Sequence, residues 1–138
     1  MYNVPENLKL SKNFTLSEFA CNDGSKEITI DYELIDKLQQ LRDMLGKPVK
    51  ITSGYRTATY NKKCGGIPTS NHLIGKAADI KVSHMTPLEL AKVADTLGFK
   101  GIGVYPTFTH GDTQGSTNGK KIYWKQDLKG VKAYITKL

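Results

Sequence analysis

Two histidines and one aspartate have the residue types and spacing of a possible metal site. His72 lies in a polar loop, Asp79 follows seven residues later within an apolar run, and His110 lies on a later predicted strand, two residues before Asp112. Two imidazoles and one carboxylate suit Zn²⁺ and leave a fourth position open, as catalytic zinc sites require. Calcium and magnesium prefer shells made of oxygen. The same spacing also fits a protein without a metal site. In that case His72 is an ordinary loop histidine, and Asp79 is a strand carboxylate with a hydrogen-bonding partner, which a buried carboxylate needs.

Two principal helices are predicted to support these residues. The first covers residues 31–45, because leucine and isoleucine recur at helical spacing and Gly46 and Pro48 follow. The second opens at Thr86-Pro87-Leu88-Glu89, which supplies an N-cap, a proline in the first turn and a capping-box glutamate, and it ends at Gly98. A short helical turn is also expected near residues 14–19, where Thr15 and Glu18 have capping-box spacing.

Alternating apolar residues predict the strands that carry the candidate ligands. The predicted strands are residues 48–52, 77–82, 102–105, 108–112, 121–124 and, more weakly, 130–136. The stretch 54–75 is rich in Gly, Thr, Asn and Lys and is predicted to be a long loop, which in a compact domain is usually functional or disordered. The pattern predicts a small α+β fold with two principal helices on one antiparallel sheet. At 138 residues, the chain is expected to be one domain, residues 1–138.

Positive charge is concentrated near the C-terminus. The whole chain has 20 Lys+Arg and 13 Asp+Glu, a formal net charge of +7. Residues 1–112 have 14 basic and 12 acidic residues, whereas residues 113–138 have six lysines and a single acidic residue, Asp127. Such a segment could retain a polyanion such as nucleic acid, anionic lipid or an anionic wall polymer, or it could be a solvated lysine face. Only Arg42 and Arg56 are arginines, so nucleic-acid recognition through arginine is largely absent and no nucleic-acid partner is expected.

Several other classes of protein are disfavoured by the sequence. No apolar run reaches the roughly 18 to 20 residues that span a bilayer. Residues 1–14 lack an apolar signal-peptide core, so synthesis in the cytoplasm without a leader is expected. The two cysteines, Cys21 and Cys64, are too few for a disulfide scaffold or a four-thiolate zinc site and are expected to be ordinary thiols.

An ordered series of motifs resembles a family of peptidases. The motifs are Ser53-Gly54-Tyr55-Arg56, Ser70-x-His72-x-x-Gly75-x-Ala77-Ala78-Asp79, Gly101-Ile102-Gly103-Val104-Tyr105-Pro106 and His110-x-Asp112. The series is similar to the zinc D-Ala-D-Ala carboxypeptidase family of peptidoglycan peptidases. This family includes phage L-alanyl-D-glutamate endolysins and shares a fold with hedgehog signalling domains. The resemblance runs from Phe14 to Trp124, some four-fifths of the chain.

The resemblance implies roles for particular residues. It implies zinc as cofactor, held by His72, Asp79 and His110. Arg56 would hold a substrate carboxylate or polarise the scissile carbonyl, since a guanidinium grips a carboxylate through two hydrogen bonds, or it would tie the loop to the main chain. Ser70 would contact substrate or steady the His72 loop. Tyr55 would line the cleft, although aromatic residues in such a fold are more often core.

Hydrolysis also needs a group that accepts a proton. Some members of the family place an acidic residue three positions before the last zinc histidine, but here that position is Thr107. By elimination the candidate base is Asp112, which lies two residues after His110 and shares its strand face. The alternative is that Asp112 orients His110 through a hydrogen bond. The remaining histidine, His84, lies outside the motifs and is expected at the surface.

The leading hypothesis is a monomeric zinc peptidase that cuts the peptide stem of peptidoglycan, as an endopeptidase or a D,D-carboxypeptidase. The resemblance and the leaderless N-terminus suggest a phage or prophage lysin that reaches the wall through holin-type release or as part of a virion. The basic segment 113–138 would retain it on anionic wall polymers. The alternative is a non-catalytic, zinc-containing module of the same fold that binds wall peptide, which the threonine at position 107 keeps open.

Overall fold

One six-stranded sheet carries the candidate ligands and packs against helices. The computed structural model describes residues 8–138; the first seven residues of the predicted domain, and the leader prediction that concerns them, lie outside the described residues. The helices are α1 (Tyr32–Leu45), α2 (Ala58–Lys63) and α3 (Pro87–Thr96), with 3₁₀ turns at Leu16–Phe19 and Asn71–Ile74. The strands are β1 (Lys50–Ser53), β2 (Ala77–Lys81), β3 (Gly101–Val104), β4 (Thr109–Asp112), β5 (Ile122–Gln126) and β6 (Lys132–Ile135).

The α+β class and the two principal helices are confirmed, but the sheet is mixed rather than wholly antiparallel. Its strand order is β1-β2-β4-β3-β5-β6, and only β3 and β5 run parallel. The chain reverses direction after β4, but β2 and β3 already fill both positions beside β4. Strand β5 therefore pairs with the free edge of β3 and runs in the same direction as β3.

The helix ends follow the local signals in the sequence. At the start of α1 the Asp31 side chain accepts the backbone N–H of Glu33, and Gly46 ends the helix with a positive φ of 62°. The capping box of α3 forms as predicted: Thr86 and Glu89 accept hydrogen bonds from each other's backbone N–H groups. The apolar faces of both helices join one core with the sheet residues Ala78, Ile80, Ile102 and Val104.

The prediction of a long loop over residues 54–75 is wrong in part. This stretch contains α2 and a 3₁₀ turn. Thr57 caps α2 by accepting the backbone N–H of Tyr60, and Ser70 caps the 3₁₀ turn by accepting that of His72. The polar, glycine-rich composition concealed these short elements because neither has an apolar face long enough to show helical periodicity.

The two faces of the sheet have different roles. On β2 the residues Ala78 and Ile80 enter the helix-packed core, so Asp79 between them points to the opposite face. In residues 8–138, no helix is both long enough and apolar enough to cross a membrane.

Candidate metal centre

The register of the sheet places the candidate ligands in one row. Asp79 on β2 is paired with His110 on β4, His110 with Gly103 on β3, Gly103 with Trp124 on β5, and Trp124 with Tyr134 on β6. Directly paired residues point to the same face of a sheet. The Asp79 carboxylate, the His110 imidazole and the Trp124 indole therefore line the same side.

His72 reaches this row from the 3₁₀ turn at Asn71–Ile74. Its Nδ1 lies 2.7 Å from the carbonyl oxygen of Gly54, which can only accept, so Nδ1 carries the proton. The other nitrogen, Nε2, is 3.3 Å from Asp79 Oδ1 and presents its lone pair there. The Gly54 carbonyl thus fixes the tautomer that a metal ligand needs.

His110 has the mirror arrangement of its two nitrogens. Its Nε2 donates a hydrogen bond to Asp112 Oδ2 at 2.7 Å, and its Nδ1 is 3.2 Å from Asp79 Oδ1. One donor atom from each of His72, Asp79 and His110 lies within 4.8 Å of the others, and all three residues are buried. One nitrogen from each imidazole in its neutral form, together with one carboxylate oxygen, is a donor set that fits Zn²⁺.

Burial and hydrogen bonding compete at each ligand. Burial raises the pKa of Asp79, but the neighbouring imidazoles, His110 first and then His72, outweigh it, so the pKa of Asp79 is lowered and the carboxylate stays ionised. Burial lowers the pKa of His72. Burial also opposes the charged form of His110, but the hydrogen bonds that the charged imidazole donates to Asp112 and Asp79 raise the pKa of His110 to about 9. Metal binding at this centre therefore displaces a proton from His110.

Comparison with known proteins decides the family. The family model for Peptidase M15 matches residues 12–112. The chain belongs to the Peptidase M15 family. This confirms the resemblance expected from the motifs, and the small α+β domain with its mixed sheet is consistent with that family.

Curated relatives of this M15 domain are peptidoglycan peptidases by name. The chain is 33% identical over 98 residues to the zinc D-Ala-D-Ala carboxypeptidase of Streptomyces albus G, covering 69% of this chain and 38% of that protein. It is 34% identical over 99 residues to the peptidoglycan L,D-endopeptidase MepK of Escherichia coli K12, covering 65% of this chain and 54% of MepK. The chain therefore spans only between 38% and 54% of the length of these relatives.

Asp112 of the M15 domain lies behind His110. It is 1% exposed; Oδ2 accepts from His110 Nε2, and Oδ1 accepts the backbone N–H groups of Gln114 at 3.1 Å and Gly115 at 2.7 Å. Burial raises the pKa of Asp112, but the hydrogen bond from His110 outweighs it and the pKa is lowered. This geometry favours the alternative role, orientation of His110, over that of a proton acceptor, because both oxygens are already occupied.

Arg56 serves the metal centre from within the protein. Its guanidinium donates to Asp79 Oδ2 at 2.9 Å, to Ser53 Oγ at 3.0 Å and to Asn61 Oδ1 at 3.3 Å. It leaves Asp79 Oδ1 free to face the histidines. The predicted grip on a substrate carboxylate would require Arg56 to give up the Asp79 carboxylate. Arg56 does form an internal tie, but to the three side chains above and not to the main chain as the alternative expected.

Of the two remaining predicted substrate contacts, one lines the cleft and the other does not. Ser70 lines the cleft over the metal centre, and its hydroxyl accepts the backbone N–H of His72 at 3.3 Å, which steadies the loop. Tyr55 is 7% exposed and is not among the residues that line the cleft. Its backbone N–H donates to Phe19 O, and burial, followed by Glu27, raises the pKa of its hydroxyl. The structure therefore does not place Tyr55 among the cleft residues, and the expected substrate contact by Tyr55 stays a prediction.

Other expectations concern thiols and the third histidine. Cys21 and Cys64 are both free, and Cys64 lines the cleft without joining the metal cluster. His84 is exposed in the turn after β2, with a φ of 64°, and is not among the cleft residues. The two cysteines fit the expectation of ordinary thiols, and His84 fits that of a surface histidine.

Sequence reasoning missed the two glycines that make room for the site. A Cβ on Gly103 would lie 2.5 Å from the Trp124 indole, and one on Gly101 would lie 2.1 Å from Asp112 Oδ2. The absence of side chains here lets the indole lean over β3 until its ring centroid is 4.9 Å from that of His110. The detectable signal was Gly-x-Gly on a fully buried strand, where glycine weakens the strand unless something must come close.

Proposed function

We propose that this chain is a zinc-dependent peptidase that hydrolyses an amide bond in the peptide stem of bacterial peptidoglycan. The observation that carries the proposal is the convergence of His72 Nε2, His110 Nδ1 and Asp79 Oδ1 at the floor of a cleft of about 980 Å³. Each histidine has its second nitrogen occupied by an oxygen acceptor, so in the neutral imidazoles both lone pairs aim at one place. The names of the relatives, a zinc carboxypeptidase and a peptidoglycan endopeptidase, support the same substrate class.

Zinc bound at this centre would supply polarisation of a carbonyl oxygen and activation of water at neutral pH. The protein holds that centre rigid: Gly54 and Asp112 orient the two imidazoles, and Arg56 holds the Asp79 carboxylate. A rigid donor set would hold the metal at a fixed position relative to the scissile amide, and fixed geometry between reacting groups lowers the activation barrier.

Tyr105 is a candidate donor to the scissile carbonyl oxygen. Its hydroxyl oxygen accepts from Trp124 Nε1 at 3.0 Å, so the Tyr105 proton is free to point into the cleft that the residue lines. Burial raises the pKa of Tyr105, which keeps the phenol protonated at neutral pH. A neutral donor aimed at developing negative charge stabilises the transition state of amide hydrolysis.

A non-catalytic module that binds wall peptide is the second candidate. One observation favours it: among the described cleft residues the carboxylates are Asp79 and Asp112, and both are already hydrogen-bonded within the site. Neither carboxylate is therefore free in this geometry to accept a proton from water, whereas a binding module needs no proton acceptor.

The experiment is digestion of purified peptidoglycan by zinc-loaded protein, with mass spectrometry of the released fragments. We expect peptide fragments, and we expect them to disappear with a chelator or in His72→Ala. The matched control is His84→Asn, an exposed histidine outside the cleft replaced by a residue that tolerates its positive φ. Cleavage that survives in His72→Ala contradicts the proposal. Retained zinc and peptide binding, with no fragment from any wall type, supports the binding module instead.

We also propose where the protein acts. The supporting features are the similarity to peptidoglycan peptidases and the net positive charge of residues 113–138, which suits retention on an anionic wall polymer. A phage or prophage lysin that reaches the wall after holin-type release, or on a virion, remains the proposed setting. Activity against walls stripped of their anionic polymers, compared with untreated walls, tests the retention part.

A further inference from the structure

Lys132 is placed in the cleft by strand β6. It pairs with Gln126 two positions along from the Trp124–Tyr134 pair, so all four residues face the same side of the sheet as the metal centre. The Lys132 Nζ lies 4.8 Å from the Trp124 ring centroid and 5.1 Å from that of Tyr134. Two aromatic faces thus hold the ammonium group at one wall of the cleft.

The cleft needs a cation other than Arg56 if it is to bind a substrate carboxylate. Arg56 and Lys132 are the two permanently charged basic side chains among the described residues that line the cleft. Arg56 is already paired with Asp79, whereas Lys132 has no carboxylate partner in the described part of the chain. The ammonium group therefore has an open side that faces incoming ligand.

We propose that Lys132, held over Trp124 and Tyr134, binds a free carboxylate of the peptide substrate and so makes this cleft selective for acidic peptides. The inference rests on the proposed function and deepens it by naming a chemical feature of the substrate. Trp124 forms the bridge between this subsite and the metal centre, because its ring centroid is 4.9 Å from that of His110.

The distances set how far the recognised carboxylate lies from the bond that is cut. The step from Lys132 to Trp124 is 4.8 Å and the step from Trp124 to His110 is 4.9 Å. An extended peptide advances about 3.3–3.6 Å per residue, so a carboxylate at Lys132 lies about one to three residues from an amide at the metal centre. Both a C-terminal carboxylate and an acidic side chain on a short peptide meet this requirement.

The test compares three forms of one stem-type peptide: both carboxylates free, the C-terminal carboxylate amidated, and the side-chain carboxylate amidated. Binding is measured by fluorescence of Trp124, the single tryptophan of the chain, with metal removed by a chelator so that no peptide is cut. The proteins are the unmodified chain, Lys132→Met, Lys132→Arg, and the control Lys129→Met. Lys129 is an exposed lysine of the neighbouring turn that is not among the cleft residues.

We expect one of the two amidations to weaken binding to the unmodified chain about fivefold to tenfold, as for a partly exposed charged pair. The amidation that does so identifies the carboxylate. In Lys132→Met the free and amidated forms should bind equally, whereas Lys132→Arg and Lys129→Met should still discriminate.

Two results would overturn the inference. One is a Lys132→Met protein that still prefers the free acid, and the other is an unmodified chain that binds all three forms alike or none. Failure of the proposed function has a different signature, because it is the absence of peptide cleavage by the zinc-loaded protein in mass spectrometry. That result leaves the binding comparison intact.

Discussion

Replacement of Asp112 by asparagine separates the two roles that the sequence left open for this residue. The side chain keeps its size, but only one of its two terminal atoms can then accept a hydrogen bond. The backbone N–H groups of Gln114 and Gly115 require that acceptor at Oδ1. The new amide NH₂ must therefore face His110 Nε2, which is 2.7 Å from Oδ2 in the unmodified chain, and a donor meets a donor.

The conflict can be relieved if the imidazole moves its proton to Nδ1, the nitrogen that faces Asp79. A protonated Nδ1 has no lone pair for a metal ion. Loss of such a supporting partner typically weakens metal binding about 10- to 100-fold. This corresponds to about 1.4 to 2.8 kcal/mol of binding free energy at about 1.4 kcal/mol per tenfold. We expect Asp112→Asn to weaken zinc binding by this amount and to regain most of its activity once zinc is saturating.

The assay is a competition titration with a chromophoric chelator, followed by peptide cleavage at saturating zinc. The matched control is Asp127→Asn, because Asp127 Oδ1 also accepts two backbone N–H groups, from Lys129 and Val131, but Asp127 is exposed and is not among the cleft residues. A general base would give the opposite pattern, an unchanged zinc affinity and a loss of about 10²- to 10⁴-fold in kcat that zinc does not restore. That pattern would refute the orienting role.

Three further changes test the supporting structure. Gly103→Ala places a Cβ 2.5 Å from the Trp124 indole, so we expect a shifted tryptophan fluorescence spectrum and a loss of about 1–3 kcal/mol in the free energy of unfolding measured with urea. Arg56→Lys cannot reproduce the three hydrogen bonds of the guanidinium, so we expect weaker zinc binding in the same chelator titration, with the fold retained by circular dichroism. Burial raises the pKa of Asp95, but Lys121 outweighs this and lowers it; Asp95→Asn should therefore cost about 0.2–1 kcal/mol of unfolding free energy at pH 7, and urea titrations should show this difference vanishing as pH falls below that lowered pKa.

The features that were predicted correctly from the sequence are those that depend on residues within one short segment. The capping residues of α1 and α3 and the alternation on β2 are local signals, and each led to an element near its observed place. The prediction from spacing that His72 and Asp79 lie close together is also met, because the 3₁₀ turn that starts after Ser70 places the His72 side chain beside Asp79 on β2. The short helix α2 was missed because its six residues, mostly polar, show no periodic apolar face.

What the sequence could not supply depends on which strands become neighbours. The approach of Trp124 to His110 requires β5 to lie beside β3, a pairing between segments about 20 residues apart in sequence that no local pattern specifies. Asn61 contributes to the site because α2 places its side-chain oxygen 3.3 Å from Arg56, from which it accepts a hydrogen bond. Tyr55 lies between Gly54 and Arg56, which serve the site, but Tyr55 itself is buried and its backbone N–H donates to Phe19 O, a contact that no local pattern specifies.

Along the row of paired residues, the metal ligands lie at one end and the side of the cleft proposed to select the substrate lies at the other. His72, Asp79 and His110 lie within residues 12–112, the part that the Peptidase M15 model matches, whereas Trp124 and Lys132 lie beyond it on β5 and β6. The two parts meet along the pairing of β3 with β5, and at Gly103 an absent side chain lets the indole reach His110. Substitutions on β6 can therefore change which peptide is bound while the metal donors keep their geometry. The lysines of residues 113–138 therefore differ in their surroundings: Lys132 lines the cleft, Lys121 pairs with Asp95, and the remaining four are exposed, namely Lys120, Lys125, Lys129 and Lys137.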